Sequence, residues 1–213
     1  MTRILVTRAQ ERAAGFVDLL EGLGYEVAVC PLIEVEPLSD EPIDVSVYDW
    51  VVITSVSGAT ELRRRLFGMP RRVAAIGRAT AEAFGGDVDL IPQTATQEGL
   101  LAELPLPAGR VLFAGAEGAR HLLVRELGAD FVPLYRTHEL RPAELPAADI
   151  AILASPSAAR ALAAVDNTMP AVSIGPETTR AARAAGIVVL AQAPTHDAAG
   201  VVAAVQAAAP LAP

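Results

Sequence analysis

The chain has 213 residues, 52% of them apolar and only 4% aromatic, with a net charge of −8 that argues against a nucleic-acid footprint. All 17 of its cationic residues are arginine, and the absence of lysine excludes Schiff-base chemistry, a pyridoxal phosphate anchor and a P-loop. One cysteine, Cys30, allows neither an intramolecular disulfide nor a Cys-based metal site, and no apolar stretch reaches the roughly 18 residues of a membrane span.

The first residues, Met1-Thr-Arg-Ile-Leu-Val, read as a strand and not as a signal sequence, so a cytoplasmic location is expected. Gln10 to Leu23 has the pattern of an amphipathic helix ended by Gly24, and Val27–Cys30 that of a second strand closed by Pro31. Pro37 to Val47, rich in Pro, Asp and Glu, reads as a linker or crossing loop. Trp50–Ile53 is a strand followed by a helix from about Ser57 to Leu66, and Val73–Ile76 leads through Gly77 into a helix over roughly Ala79–Phe84. Val88–Ile91 is expected as a short strand, and Thr96 opens a helix through Leu104. Such alternation predicts an α/β protein with parallel sheets covered by helices.

The sequence repeats itself. Asp49-Trp-Val-Val-Ile-Thr-Ser-Val-Ser-Gly-Ala aligns with Asp149-Ile-Ala-Ile-Leu-Ala-Ser-Pro-Ser-Ala-Ala, and Val73–Thr80 with Ala171–Thr178, placing Gly77 on Gly175. Thr96-Gln-Glu-Gly matches Thr195-His-Asp-Ala, and more weakly Arg3-Ile-Leu-Val matches Arg110-Val-Leu-Phe. The chain is a duplication. Two tandem domains of about 100 residues are one outcome. The other is a chain that crosses twice, at Pro31–Val35 and Pro133–Leu140, giving one domain of residues 1–35 plus 139–213 and another of 36–138. Periodicity alone leaves both open.

Parallel α/β folds bind ligands at the carboxyl ends of their strands. The loops there carry Thr7-Arg8, Thr54-Ser55-Val56-Ser57-Gly58, Gly77 to Thr80, Ala114-Gly115 to Gly118, Ser155-Pro156-Ser157 and Gly175 to Thr178. These are small, hydroxylated residues expected to open helices, whose free N–H groups suit carboxylates or phosphates. They suggest an anion-binding cleft between the domains. Metal-ligand spacing is absent among His121, His138 and His196; His121 is expected mid-helix and His196 near a helix cap, both solvated. The arginine runs at Arg63–Arg65 and Arg71–Arg72 read as solvated helix faces. Tyr135, in a crossing segment, can present a hydroxyl to such a cleft.

Taken together, Leu5-Val-Thr-Arg8, Tyr48-Asp-Trp-Val-Val-Ile-Thr-Ser55, Ala75-Ile-Gly77 with Thr80, Val132-Pro-Leu-Tyr-Arg-Thr137, Ala154-Ser-Pro-Ser-Ala158 and Ser173-Ile-Gly-Pro176 with Thr178 resemble the uroporphyrinogen-III synthase family. The resemblance implies two similar flavodoxin-like domains joined by a double linker. It also implies a lyase that closes linear hydroxymethylbilane with inversion of the last ring, without metal or cofactor, and a monomer is expected. Tyr135 matches the family tyrosine that assists departure of the hydroxyl. Thr80, Ser155 and Thr178 match substrate-contacting positions, and Arg120 matches a family arginine. The chain departs from the family at Ala114, where an arginine is usual, and at Val56-Ser57, where Pro-Asn is usual. The alternatives are a non-catalytic tetrapyrrole- or anion-binding paralogue, and a flavodoxin-like enzyme acting on a phosphate ligand.

Overall fold

A computed structural model describes residues 1–8 and 10–210; residue 9 and residues 211–213, which the expected discontinuous domain includes, lie outside them. In chain order the elements are β1 (Arg3–Val6), α1 (Gln10–Gly22), β2 (Glu26–Val29), β3 (Ile33–Pro37), β4 (Ile43–Asp44), β5 (Trp50–Ile53), α2 (Val56–Arg65), β6 (Leu66–Phe67) and β7 (Val73–Ala75). They continue with α3 (Arg78–Phe84), α4 (Gln97–Glu103), β8 (Val111–Ala116), α5 (Leu122–Leu127), β9 (Asp130–Glu139), β10 (Ile150–Leu153), α6 (Pro156–Val165), β11 (Ala171–Ser173), α7 (Pro176–Ala184), β12 (Val189–Gln192) and α8 (Ala198–Ala208).

The chain divides into two compact units, Met1–Glu34 with His138–Pro213, and Val35–Thr137. Unit 1 holds a five-stranded sheet ordered β12-β11-β10-β1-β2, and unit 2 is built on the sheet β3-β9-β8-β5-β7. The pairs β1·β10, β1·β2, β10·β11 and β11·β12 in unit 1 are all parallel, as are β5·β7, β5·β8 and β8·β9 in unit 2. Val6 lies opposite Ile152 in one sheet, although the two are far apart in sequence. The central strands are apolar on both faces because helices cover both. In unit 1, Ile4, Val6 and Ile152 face Phe16 and Val201, while Leu5, Ala151 and Leu153 face Leu162 and Ala182. Unit 2 repeats this with Val51 and Ile53 against Leu62, and Val52 and Phe113 against Leu100 and Leu123.

The repeated aspartates have a structural task. Asp49 accepts a hydrogen bond from the Arg110 N–H at 2.8 Å and donates its own N–H to the Arg110 carbonyl; Asp149 does both with Arg3 at 2.8 Å. Each aspartate therefore fixes the amino end of the neighbouring strand, and the matching bonds identify β8 as the counterpart of β1 and β5 as that of β10. The last segment of the repeat needs a different register from the one its residues suggest. Thr96 caps α4 and Asp197 caps α8, each accepting an N–H three residues on, from Gly99 and Gly200. A Cβ at Gly99 would lie 2.1 Å from the Thr94 carbonyl oxygen, and one at Gly200 would lie 2.3 Å from that of Thr195. Thr94 thus corresponds to Thr195, and Ala95 to His196.

Several local expectations are corrected. The expected strand Val88–Ile91 is a single bridge from Leu90 to Ala74, since the Asp89 carboxylate takes the Val73 N–H and Pro92 cannot extend a ladder. The crossing segments are strands, β3 and the end of β9, and Pro37 to Val47, expected as a linker or crossing loop, holds the short strand β4. Arg65 is not solvated: it is 8% exposed and its Nε donates to the Glu41 carbonyl at 2.8 Å. Its neighbours Arg63 and Arg64 are engaged by the Phe84 carbonyl and by Asp40 with Glu61. Among the described residues no helix is long and apolar enough to cross a membrane.

Candidate functional site

Because each sheet is parallel, the candidate residues collect at the carboxyl edge of one sheet or the other. Unit 2 carries Ser55, Ser57, Thr80, Gly115, Arg120 and Tyr135; unit 1 carries Thr7, Arg8, Ser155, Ser157 and Thr178. Four of the loops open helices by the expected chemistry. Ser55 caps α2, accepting the Gly58 N–H at 3.0 Å, and Ser155 caps α6, accepting the Ala158 N–H at 3.1 Å. Gly77 caps α3 and Gly175 caps α7 in extended conformations without a side chain to satisfy the first turn. Thr80 and Thr178 sit in those first turns at equivalent positions, 4% and 3% exposed. A serine cap satisfies one of the free N–H groups of its helix and leaves others directed at the loop.

Tyr135 is not in an irregular linker. It lies within β9, 6% exposed, and packs in the same apolar cluster as Ile53, Ala114 and Leu134. A register shift explains how. Gly115 pairs with Pro133 but Ala116 pairs with Tyr135, so Leu134 is an extra residue on the β9 side. The bulge accommodates Pro133, which can donate no N–H, and breaks the alternation of faces, so that Leu134 and Tyr135 are both buried. The Tyr135 phenol oxygen lies 2.9 Å from Ser55 Oγ. A core tyrosine normally satisfies its hydroxyl; here the partner is a helix cap at the carboxyl edge.

Other candidates are placed differently from the expectation. Thr7 is fully buried and its hydroxyl donates to the Ile152 carbonyl at 2.7 Å, so it ties β1 to β10. Gly115 does not open a helix; it lies inside β8, where a Cβ would crowd the Phe113 ring at 3.2 Å. Arg120 holds Glu98 through two bonds of 2.7 and 3.0 Å, and this fork, ahead of its other causes, pulls the Glu98 carboxyl down to about 2. Any further anion at Arg120 competes with a carboxylate already in place. The Arg8 guanidinium stands 5.1 Å from the centre of the Phe16 ring. Ser157 and Ser155 place their hydroxyl oxygens 3.0 Å apart. Among the described residues no group of three His, Cys, Asp or Glu side chains is arranged to hold a metal ion.

His121 precedes α5 instead of lying within a helix, with its ring 4.9 Å from that of Phe131. His196 is the residue that the repeat register concealed. Its Nε2 lies only 2.1 Å from where a Cβ on Gly175 would be, so the imidazole rests on the glycine that begins α7. The matching contact in unit 2 is Ala95 against Gly77 at 3.8 Å, which leaves that helix start uncovered by any ring. Loss of solvent lowers the His196 pKa, opposed in part by the charge of Asp197. The folded state then resists protonation more than the unfolded one. Stability from this group is complete above the 6.5 of a free imidazole and is lost as pH falls from there through the lower native value. His196 is exposed as a residue, with its ring laid on the start of α7; it is expected to titrate below 6.5 by NMR in the native protein, and Gly175→Ala, by pushing the ring off that helix start, to return it toward 6.5. An unchanged titration in Gly175→Ala would show that the glycine contact does not desolvate the ring.

Fold and loops together define a class: paired parallel α/β units whose helix starts, capped by serine or glycine, gather hydroxyls and N–H donors at the carboxyl edges of both sheets. The profile of the family described as uroporphyrinogen-III synthase HemD matches residues 14–203. The chain is 31% identical over 150 residues to a protein of Methanocaldococcus jannaschii described as a "Putative uroporphyrinogen-III synthase", covering 64% of this chain and 62% of that protein. A protein of Methanothermobacter thermautotrophicus with the same description is 33% identical over 139 residues, covering 57% of this chain and 55% of that one. The chain thus matches less than two thirds of the length of each of these relatives. Among solved structures, a mutant uroporphyrinogen III synthase from the extremely thermophilic bacterium Thermus thermophilus superposes with a TM-score of 0.61 at 16% identity, covering 98% of both chains, which is a likeness of fold. This chain belongs to the uroporphyrinogen-III synthase family.

Proposed function

We propose that this chain converts hydroxymethylbilane to uroporphyrinogen III. In this reaction the terminal hydroxyl leaves as water and generates an azafulvene cation. The substituted carbon of the last ring attacks it to give a spiro intermediate, which fragments and recloses with that ring inverted. One water is lost and no net oxidation occurs, so the chemistry needs an acid at the leaving oxygen and control of geometry. Tyr135 is the acid: the leaving hydroxyl takes its proton, and the proton lost when the ring system regains aromaticity balances the step. The observation that carries this is a buried phenol re-aimed by a strand bulge and bonded to the cap of α2 at 2.9 Å.

The substrate is a polycarboxylate, and the starts of α2, α3, α6 and α7 supply N–H and hydroxyl donors suited to it, with Ser57, Ser155, Ser157, Thr80 and Thr178 as the contributing side chains. Without an enzyme the chain of rings closes uninverted, so selecting the inverted product is a matter of orientation, which these many weak contacts provide. The test is incubation of chelator-treated protein with enzymatically made hydroxymethylbilane, followed by oxidation and isomer analysis. Accumulation of the type III isomer is expected; type I alone would overturn the assignment in favour of a binding paralogue.

A further inference from the structure

We infer that Ser55 is a positioning residue for the Tyr135 phenol, and that the Gly58 N–H, the Ser55 hydroxyl and the phenol form a one-way donor chain running out from the start of α2; this rests on the cyclisation proposed above. A backbone N–H can only donate, so the 3.0 Å bond from Gly58 to Ser55 Oγ fixes the direction of the first link. An oxygen that accepts a hydrogen bond becomes a stronger donor through its own O–H. Ser55 has one proton to give, and Tyr135 Oη lies 2.9 Å away. The separation admits either hydroxyl as donor; in the proposed chain Ser55 donates, so the phenol oxygen accepts and its own hydrogen is directed onward. As the phenol gives up its proton, the negative charge left on Oη meets a donor already in place, backed by the positive end of a ten-residue helix.

Two further features are built around this link. A Cβ at position 58 would lie 2.9 Å from Ser55 Oγ, so a larger residue there would press on the serine oxygen and shift it. The bulge at Gly115 and Ala116 sets the partner strand so that Tyr135 turns inward to meet it. The equivalent cap in unit 1 makes the comparison. Ser155 accepts the Ala158 N–H at 3.1 Å in the same way, yet its hydroxyl neighbour is Ser157 at 3.0 Å. Capping a helix therefore does not by itself bring a phenol to the serine, and the Ser55–Tyr135 link is particular to unit 2.

The experiment separates positioning from capping and from substrate contact. Glycine is an accepted N-cap, so Ser55→Gly removes the hydroxyl while keeping the helix start, and Ser55→Thr keeps the hydroxyl. Cyclisation kinetics and thermal unfolding are measured for both variants, and for Ser55→Gly in the Tyr135→Phe background. We expect Ser55→Gly to lower kcat about fivefold or more with KM nearly unchanged, the scale of one oriented hydrogen bond. Ser55→Thr should restore most of the rate, and Ser55→Gly should cost nothing further once the phenol hydroxyl is gone. Rate losses that multiply in the double variant, or a loss confined to KM, would make Ser55 a direct substrate contact and overturn the proposal. An unchanged kcat in a folded Ser55→Gly protein would also overturn it. A wild-type protein that forms no type III isomer would remove the cyclisation reading itself, an outcome distinct from failed coupling in an active enzyme.

Discussion

Tyr135→Phe is expected to slow formation of the type III isomer about ten- to a hundredfold, through kcat and not KM, while the protein stays folded. The aromatic body is buried among Ile53, Ala114 and Leu134, and phenylalanine fills the same space. The structural loss is one hydrogen bond to Ser55, about 1 kcal/mol. The catalytic loss is larger because a preorganised donor acts where charge develops; removing such a donor costs on the order of 10²–10³ in favourable cases. A hydroxyl whose departure leaves a stabilised cation needs less help, which sets the lower figure. Steady-state kinetics with isomer analysis checks this. Full kcat in Tyr135→Phe would mean that the leaving group departs unassisted and that the protein contributes orientation alone.

A second expectation concerns folding. Residues 35–137 expressed alone should give a cooperatively unfolding protein, whereas residues 138–213 alone should not fold until a peptide of residues 1–34 is added. Unit 2 is one continuous segment with both of its apolar clusters complete. Unit 1 without its first segment loses β1 from the middle of the sheet, leaving β10 with an open edge. It also loses Ile4, Leu5, Val6, Phe16, Leu20 and Leu32, all 3% exposed or less. At about 2 kcal/mol for each buried side chain, the deficit is about 12 kcal/mol, comparable with the whole stability of a domain. Circular dichroism and denaturant titration of the fragments, separately and mixed, would decide it. A stable, cooperative 138–213 fragment would show that the first segment is an accessory to unit 1.

Much of this arrangement is legible in the residues, for identifiable reasons. Buried parallel strands such as Trp50–Ile53 and Ile150–Leu153 are uninterrupted apolar runs, and Ser55, Ser155 and Thr96 stand where helix caps belong. The fold class and the set of edge loops follow from those two patterns. What escaped them depends on contacts between distant segments. Pro133–Leu140 reads only as a crossing segment, and pairing with Gly115 and Ala116 reveals the bulge that tolerates Pro133 and turns Tyr135 inward. Thr7 reads as a ligand hydroxyl until the Ile152 carbonyl is seen beside it. His196 was hidden by matching Thr195 to Thr96 by residue type; the glycines that approach a carbonyl oxygen, Gly99 and Gly200, are the better guide to register.

The strand counterparts have one more consequence. Matched by the repeat, the unit 1 sheet takes β1 and β2 from the first copy and β10, β11 and β12 from the second, while the unit 2 sheet takes β8 and β9 from the second copy and β5 and β7, with β3, from the first. That is the connectivity of a domain-swapped dimer whose two subunits have been joined into a single polypeptide. An ancestor of half this length would have held every strand needed for one closed sheet, or for two exchanged ones in a homodimer. Joining the copies replaces a concentration-dependent association with an intramolecular one, so the exchanged form persists at any dilution. It also means that neither copy can be removed cleanly: deleting the first would strip strands from both sheets.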